Sequence, residues 1–296
     1  MLPLITVFTP TFNRAYCLPD VYNSLLKQTN KEFMWLIVDD GSTDNTKDLV
    51  SSWIIDNKIS IEYHYQENAG KMAAHNLGAQ ICKTELFMCL DSDDSLVPKA
   101  IEEIYNCWNK YHSERKDLLG IIAPRQYVDH SGNITFIPQI PTGLTYTTGQ
   151  NLYKNGFRGD TAMIFITEIL RKYPFPIQEG EKFISEISAY DQMDEYYVMK
   201  TLNIPLMNCE YQDDGYSKNL LRINVQNPKG VIFVNQQRQT KINRFSPTLM
   251  REYIAYSLIA RYSIYKIIKD SAYPFCCLLM LPVGLYDKNK IIKQVN

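Results

Sequence analysis

Along the first hundred residues, short apolar runs alternate with segments whose apolar residues recur every three or four positions, the pattern of βαβ units and a parallel sheet. Residues 2–8, 33–38, 59–65 and 85–90 read as strands, and residues 19–29, 45–56 and 71–83 as helices packing on the sheet. Thr43 or Asp44 is placed to cap the second helix. After about Ile101 the pattern turns irregular: a helix to His112, a strand over 118–123, a turn at Asp129-His130-Ser131-Gly132-Asn133, and a loop holding Pro138, Pro141 and Gly143. Residues 162–166 read as a further strand and 186–201 as a helix. Ser246, followed by Pro247 at a first helical position, opens a long helix running towards Asp270.

Two acidic clusters leave apolar strands directly. Asp39-Asp40-Gly41-Ser42 follows the strand 33–38 and Asp91-Ser92-Asp93-Asp94 follows the strand 85–90; ligands of open α/β sheets collect at that edge. Two carboxylates one residue apart can serve different atoms of one nucleoside diphosphate and its metal, because Mg²⁺ typically takes one or two carboxylates together with substrate phosphates. A sugar–diphosphate bond breaks with negative charge gathering on the leaving phosphate, and a divalent cation neutralises it. An isolated Asp-x-Asp more often belongs to a solvated loop or a helix cap; here its place after an apolar strand raises its weight. Asp40 is the candidate for accepting a hydrogen bond from a base N–H, with Gly41 permitting a tight turn behind it. The same cluster also suits strand termination and helix capping. None of the four histidines has metal-ligand spacing; His75, inside the third helix, is placed where it could approach substrate, but a lone helix histidine is more often packed or solvated. No Gly-x-Ser-x-Gly elbow, Walker loop or Gly-x-Gly-x-x-Gly fingerprint is present.

With 45% hydrophobic and 21% charged residues in 296, the composition excludes a disordered, collagenous or disulfide-stapled chain. Seven cysteines without a Cys-x-x-Cys pair fit a reducing cytoplasm rather than a disulfide framework or zinc knuckle. The opening residues enter an apolar run without a basic region, which argues against secretion. Residues 272–286, interrupted by Pro274, Pro282 and Gly284, are too short and broken to span a bilayer as one helix. The formal charge of −1 hides an asymmetry: residues 215–296 hold 13 Lys and Arg against 3 Asp and Glu, a net of +10, which leaves −11 on residues 1–214.

Four ordered motifs carry a resemblance. Thr9-Pro10-Thr11-Phe12-Asn13-Arg14, then Val38-Asp39-Asp40-Gly41-Ser42-Thr43-Asp44, then Glu67-Asn68-Ala69-Gly70-Lys71 with Ala74, Asn76 and Gly78, then Leu90-Asp91-Ser92-Asp93-Asp94, together resemble the family 2 glycosyltransferases of the GT-A fold, bacterial enzymes of surface-polysaccharide biosynthesis among them. The resemblance implies an α/β fold with a Rossmann-like, mostly parallel central sheet flanked by helices, followed here by a helical basic C-terminal extension. It implies that Thr9 and Asp40 contact the nucleoside, that Lys71 lies near the base or phosphates, that Asp91 faces the ribose and that Asp93 binds Mn²⁺ or Mg²⁺, with Asp94 behind it. UDP is the implied carrier, with GDP and dTDP as alternatives, and a hexosyl or N-acetylhexosaminyl group the implied cargo.

In that family an acidic residue of the second half, often in a Glu-Asp pair, deprotonates the acceptor hydroxyl. This chain departs from the pattern: Glu179-Gly180-Glu181-Lys182-Phe183-Ile184-Ser185-Glu186, preceded by Gly159-Asp160-Thr161 and Pro174-Phe175-Pro176, looks like a bacterial subgroup in which the residue corresponding to Glu186 is the base. Glu181 and Asp191 are rival bases, and a carboxylate at a helix start also suits the helix dipole. Asp160 is the candidate acceptor-binding carboxylate, with a loop cap as its other reading. The expected organisation is a nucleotide-sugar half over 1–115, an acceptor half over 116–245 and a helical extension over 246–296. The expected reaction is an inverting transfer to a hydroxyl of a glycan or lipid-linked glycan, with no nucleic acid as partner. A nucleotidyltransferase would share the sheet and the acidic site but usually carries a glycine-rich phosphate loop, and residues 9–14 contain no glycine. A sugar-nucleotide- or glycan-binding protein without turnover is the third reading.

The basic C-terminal region predicts a cytoplasmic protein peripheral to an anionic membrane. Leu249, Tyr253, Tyr256, Ala260, Ile264 and Ile267 recur at helical spacing with Arg251, Arg261, Lys266 and Lys269 off the stripe. The apolar segment 272–286, flanked by Lys288, Lys290 and Lys293, reads as an element that lies on lipid without crossing it. An apolar stripe packed on its own domain is the alternative.

Overall fold

The computed structural model describes residues 2–210, 216–242 and 245–295. In chain order the elements are β1 (Ile5–Thr11), α1 (Leu18–Leu26), β2 (Phe33–Asp39), α2 (Thr46–Asp56), β3 (Ile61–Tyr65), α3 (Lys71–Ile81), β4 (Leu86–Cys89), β5 (Ser95–Leu96), α4 (Ala100–Tyr111), β6 (Leu118–Val128), β7 (Ile134–Phe136), β8 (Tyr146–Thr147), α5 (Gly149–Lys154), β9 (Thr161–Ile166), α6 (Thr167–Leu170), α7 (Ile187–Met193), β10 (Val198–Thr201), β11 (Met207–Cys209), α8 (Tyr216–Gln226), α9 (Pro228–Ile242), α10 (Pro247–Ile259), α11 (Ile264–Lys269) and α12 (Pro274–Val295). They form two compact units, Met1–Pro174 with Ala189–Glu210, and Phe175–Ser188 with Tyr211–Asn296.

In the first unit the strands follow the order β3-β2-β1-β4-β9-β6-β10-β8, with β7 and β11 paired to β6 and β5 paired to β11. The β3-β2-β1-β4 part is parallel throughout, whereas β9 runs antiparallel to both β4 and β6. Strand β1 is buried at every residue because helices cover both faces of the sheet. Ile5, Val7, Trp35 and Ile37 pack with Leu18, Val21, Val50 and Trp53 of α1 and α2, and Phe8, Leu36 and Val38 pack on the opposite face with Ala74 and Ala79 of α3. The crossover thus changes faces between β3 and β4, and β4 lies on the other side of β1 from β2. That reversal is the switch point at which open α/β sheets bind ligands, beyond the C-terminal ends of β1, β2 and β4.

Two sequence expectations are corrected here. Strand β1 starts later than residue 2 and runs on to Thr11, because each of its residues pairs in register with β2 as far as Asp39. The segment 186–201 is not one helix: α7 ends at Met193, and Val198–Thr201 forms β10 alongside β6, so strand pairing overrides the helical spacing. Between them Asp194 accepts the Gly149 and Gln150 N–H groups at the start of α5, at 3.1 and 2.9 Å. The turn at 129–133 does form, with the Asp129 side chain accepting from the Ser131 and Asn133 N–H groups and Gly132 in the left-handed region.

The second unit contains α8 to α12, of which α8 and α9 carry no clear signal in the sequence pattern. The helix expected from Ser246 to Asp270 is broken: α10 ends at Ile259, Arg261 is left-handed at φ 60, and the Ser263 hydroxyl accepts the Lys266 N–H to start α11. Most of the apolar stripe does not face outward: Tyr253, Tyr256 and Ile267 are buried with Met250, Ile254 and Cys277 in the unit's own core, while Ile264 is exposed. α12 runs through Pro282 and Gly284 as one helix, and a Cβ at Gly284 would meet Ile254 Cγ2 at 2.3 Å, so only glycine permits this approach of α12 to α10. Among the described residues no helix is long and apolar enough to cross a membrane.

Candidate active site

The loops beyond β1 and β2 are laced together by side chains that local backbone geometry aims across the gap. Asn13 is left-handed at φ 54; its N–H donates to Ser42 Oγ and its side-chain oxygen accepts the Thr43 N–H, both at 2.8 Å. The Asp44 carboxylate accepts the Ala15 N–H at 3.0 Å and also the Thr46 N–H at the start of α2. Asp39 accepts the Ser42 N–H and the Tyr63 hydroxyl. Gly41 turns at φ 86 with its backbone against Asn68, and a Cβ there would stand 2.8 Å from the Asn68 nitrogen.

Asp40 is buried, and its carboxylate accepts from Gln66 Nε2 at 2.6 Å and from the Ala69 and Gly70 N–H groups at 2.8 Å. A carboxylate has about four acceptor positions, so about one remains for a ligand donor. The same contacts shape residues 66–70 into the turn that ends at Gly70, φ 97, and starts α3 with Lys71.

Beyond β4, Lys71 Nζ lies 2.8 Å from Asp91 Oδ1. Arg125, from the middle of β6, places one guanidinium nitrogen 2.6 Å from Asp94 Oδ2 and 3.9 Å from Asp91 Oδ2. Burial pushes Asp91 up, but the Lys71 and Arg125 cations outweigh it and hold the carboxyl below the usual range. Asp94 is pushed the other way, mainly by burial and by the Asp91 and Asp93 carboxylates, with Arg125 opposing. Asp93 is half-buried, and its carboxyl is raised by desolvation and by Asp91, with Arg14 opposing.

Within this cluster Asp93 is the residue that could hold a divalent cation shared with a ligand. Asp93 and Asp94 both have their ionised form disfavoured by burial and by neighbouring carboxylates; Asp94 is matched by Arg125 and Asp91 by Lys71, so Asp93 is the carboxylate that a divalent cation would relieve. Among the described residues no three His, Cys, Asp or Glu side chains converge on one point. An ion there would complete its shell with phosphate oxygens and water, the usual habit of Mg²⁺.

Thr9, expected to contact the nucleoside, lies inside the strand and not at its end. It is fully buried inside β1 and its hydroxyl accepts the Trp35 indole N–H at 3.0 Å, because the strand runs two residues past it. Thr11, at the strand's end, carries a buried hydroxyl without a hydrogen-bond partner among the described residues, and Phe12 beside it is 46% exposed. Asp160 is half-buried beside β9; its N–H donates to the Tyr127 hydroxyl at 2.8 Å and its carbonyl accepts the Arg125 N–H at 3.0 Å. Arg125 thereby joins the acidic cluster to the Asp160 segment. Sequence reading misses it because the expected strand stops at Ala123 and a mid-strand arginine carries no motif. His75 is packed, edge-on to Phe8 and Phe87, and its pKa is pushed down to about 3 by burial and then by Lys71.

Glu186 belongs to the second unit, half-buried immediately before α7. Glu181, in the same unit, is engaged by the fold, since its two oxygens accept the Lys229 and Gly230 N–H groups at 2.8 and 2.9 Å and cap the start of α9. Asp191 is buried within α7.

Residues 6–172 match the model of "Glycosyl transferase family 2", more than half of the chain. The chain belongs to glycosyl transferase family 2. It is 31% identical over 153 residues to the glycosyltransferase GlyG of Streptococcus pneumoniae, covering 51% of this chain and 46% of GlyG. It is 33% identical over 102 residues to TuaG of Bacillus subtilis, a putative teichuronic acid biosynthesis glycosyltransferase, covering 34% and 40%. The match thus spans less than half the length of these relatives. Among solved structures, S. aureus TarS 1–349 in complex with UDP-GlcNAc superposes with a TM-score of 0.59 at 16% identity over 98% of this chain and 89% of that one. The mannosyltransferase PcManGT of Pyrobaculum calidifontis, in complex with GDP-Man and Mn²⁺, gives 0.53 at 15% identity over 100% and 84%. The fold is GT-A, with a central sheet that is parallel over β3-β2-β1-β4 and antiparallel where β9 intervenes.

Proposed function

We propose that this chain is an inverting glycosyltransferase of surface-polysaccharide assembly, acting in the cytoplasm. It moves a hexosyl or N-acetylhexosaminyl group from a nucleoside-diphosphate sugar, UDP-linked by preference, to a hydroxyl of a glycan or lipid-linked glycan. The observation that carries the reading is the rim beyond β1, β2 and β4, where Asp40, Lys71, Asp91 and Asp93 stand on laced loops within a family 2 chain. TuaG as a relative supports the polysaccharide setting, and TarS with UDP-GlcNAc and PcManGT with GDP-Man support the donor class.

In this reading Asp40 takes one donor N–H of the base with its remaining acceptor position, and the Thr11 hydroxyl supplies a further polar contact in place of Thr9. Asp91, kept ionised by Lys71 and Arg125, accepts from the ribose hydroxyls. Asp93 holds Mn²⁺ or Mg²⁺, which when bound neutralises charge on the departing diphosphate. Asp160 binds the acceptor. Glu186 takes the proton of the acceptor hydroxyl as that oxygen forms its bond to the anomeric carbon, the bond to the diphosphate oxygen breaks, and the configuration inverts. Glu181 is the weaker candidate because both its oxygens are committed to α9.

Incubation with UDP-, GDP- and dTDP-sugars and Mn²⁺ tests the reading. Nucleoside diphosphate released in dependence on an added glycan acceptor is the expected result. Release of pyrophosphate would replace it with nucleotidyl transfer, and binding without turnover would leave a sugar-nucleotide-binding protein.

A further inference from the structure

The outer side of α12 inverts the usual distribution of side chains. Phe275, Leu278, Leu279, Val283, Leu285 and Tyr286 are 72, 51, 64, 39, 48 and 67% exposed, and they recur at helical spacing. The opposite side is what packs: Cys277 and Gly284 are buried, and Met280, Leu281 and Ile291 lie against the core of the second unit. The exposed apolar stripe passes, on the next turns, into exposed Lys290 and Lys293. The one acid of α12, Asp287, is neutralised by Arg251, whose Nε and a terminal nitrogen each lie 2.8 Å from its oxygens. A contiguous exposed apolar face of this kind marks an interaction site.

We propose that this face of α12 seats the protein on an anionic lipid bilayer, with Phe275 to Tyr286 entering the headgroup–acyl boundary and Lys290 and Lys293 contacting lipid phosphates. Aromatic and aliphatic side chains backed by lysines are the composition of helices that lie in that plane. Charge decides against a second copy as the occupant. Residues 215–296 carry a net of +10, so an isologous contact through α12 would bring like charges together, whereas an anionic leaflet complements them. The stripe that carries the contact is α12 itself and not the buried row of α10 and α11. The inference deepens the proposed reading, since a lipid-linked acceptor is presented at such a surface, but it rests on the exposed face and is tested without donor or acceptor.

The test is flotation of the full chain with phosphatidylcholine–phosphatidylglycerol vesicles and with pure phosphatidylcholine vesicles. Binding to the anionic vesicles, weakening with added salt, is expected. Lys290→Ala and Lys293→Ala should each lower the partition coefficient about five-fold, the effect of one basic residue near an anionic surface. Phe275→Asp combined with Leu279→Asp should abolish binding while leaving the thermal melt unchanged, because both side chains are exposed. Equal binding to both vesicle types, or none to the anionic ones, overturns the proposal. So does a dimer in sedimentation velocity that the double Asp variant dissociates without any vesicle binding by the parent chain. A chain that binds vesicles but transfers no sugar would leave this inference standing and remove the enzymatic reading instead.

Discussion

Gly78 offers a test in which two known effects oppose each other. It lies inside α3, where replacing glycine by alanine ordinarily favours the helix by about 1 kcal/mol. A methyl group there would stand 2.4 Å from Phe8 Cε2, 2.6 Å from Cδ2 and 3.0 Å from Cζ. Non-bonded carbons prefer about 3.5–4.0 Å, so the ring or the helix must yield by roughly 1 Å. Phe8 has no space to yield: it is fully buried in β1, stacked on Phe87 at 5.0 Å and edge-on to His75 at 5.4 Å. Overpacking costs typically about 1–3 kcal/mol, and an overlap of this depth belongs at the upper end. Gly78→Ala is therefore expected to lose about 2 kcal/mol net, read as a lower urea midpoint with an unchanged slope. Because β1 leads from Phe8 to the rim at Thr11, donor affinity should weaken as well. The double variant Phe8→Leu with Gly78→Ala should recover part of the loss. A single variant as stable as the parent, or more so, would mean that α3 does not press on β1 as described.

Asp93→Asn keeps the side-chain shape and removes the charge, so metal-dependent turnover should disappear with an unaltered circular-dichroism spectrum; full activity would end the metal assignment. Glu186→Gln should lower transfer by about 10²–10⁴-fold while donor binding persists, whereas Glu181→Gln should instead destabilise by about 1 kcal/mol through its cap on α9; the reverse pattern would exchange their roles. His75 is held neutral, with its pKa at about 3 in the folded chain against about 6.5 unfolded. The unfolded chain binds the extra proton between those values, so this contribution to stability is complete above about pH 6.5 and is lost as pH falls towards 3. Between pH 7 and pH 5 it should amount to about 2 kcal/mol, and a His75→Gln variant should lack that component; identical pH profiles would refute it.

The rim beyond β1, β2 and β4 is legible in the sequence because its acidic loops directly follow the strands. Buried runs such as Phe33–Asp39 end where acidic residues begin, and Gly41 and Gly70 mark turns that other residues would strain. Thr9 is a different case, because apolar alternation does not say where a strand stops; parallel pairing carries β1 on to Thr11. Arg125 is invisible to sequence reading for a related reason, since its partners Asp91 and Asp94 are over thirty positions away and only the antiparallel β9 between β4 and β6 sets their approach. Val198 reads as helical because periodicity cannot register a strand partner 80 positions earlier, Leu118. In α12, Pro282 and Gly284 read as breakers, yet Pro282 lies on the exposed side, where the freed Leu278 carbonyl can be hydrated, and Gly284 is what lets the helix approach Ile254.

The side-chain lacing at the rim has a consequence for chimeras built to exchange donor preference. Asn13 is matched to Ser42 and Thr43, Asp44 to Ala15, Asp40 to residues 66–70, and Lys71 to Asp91. A loop transplanted alone from a relative would arrive without its counterparts on the neighbouring crossovers and would strand a buried carboxylate at Asp40. The loops after β1, β2, β3 and β4 therefore form one heritable block, and recombination breakpoints belong outside it, before β1 and after Asp94, with Arg125 carried along as its remote anchor.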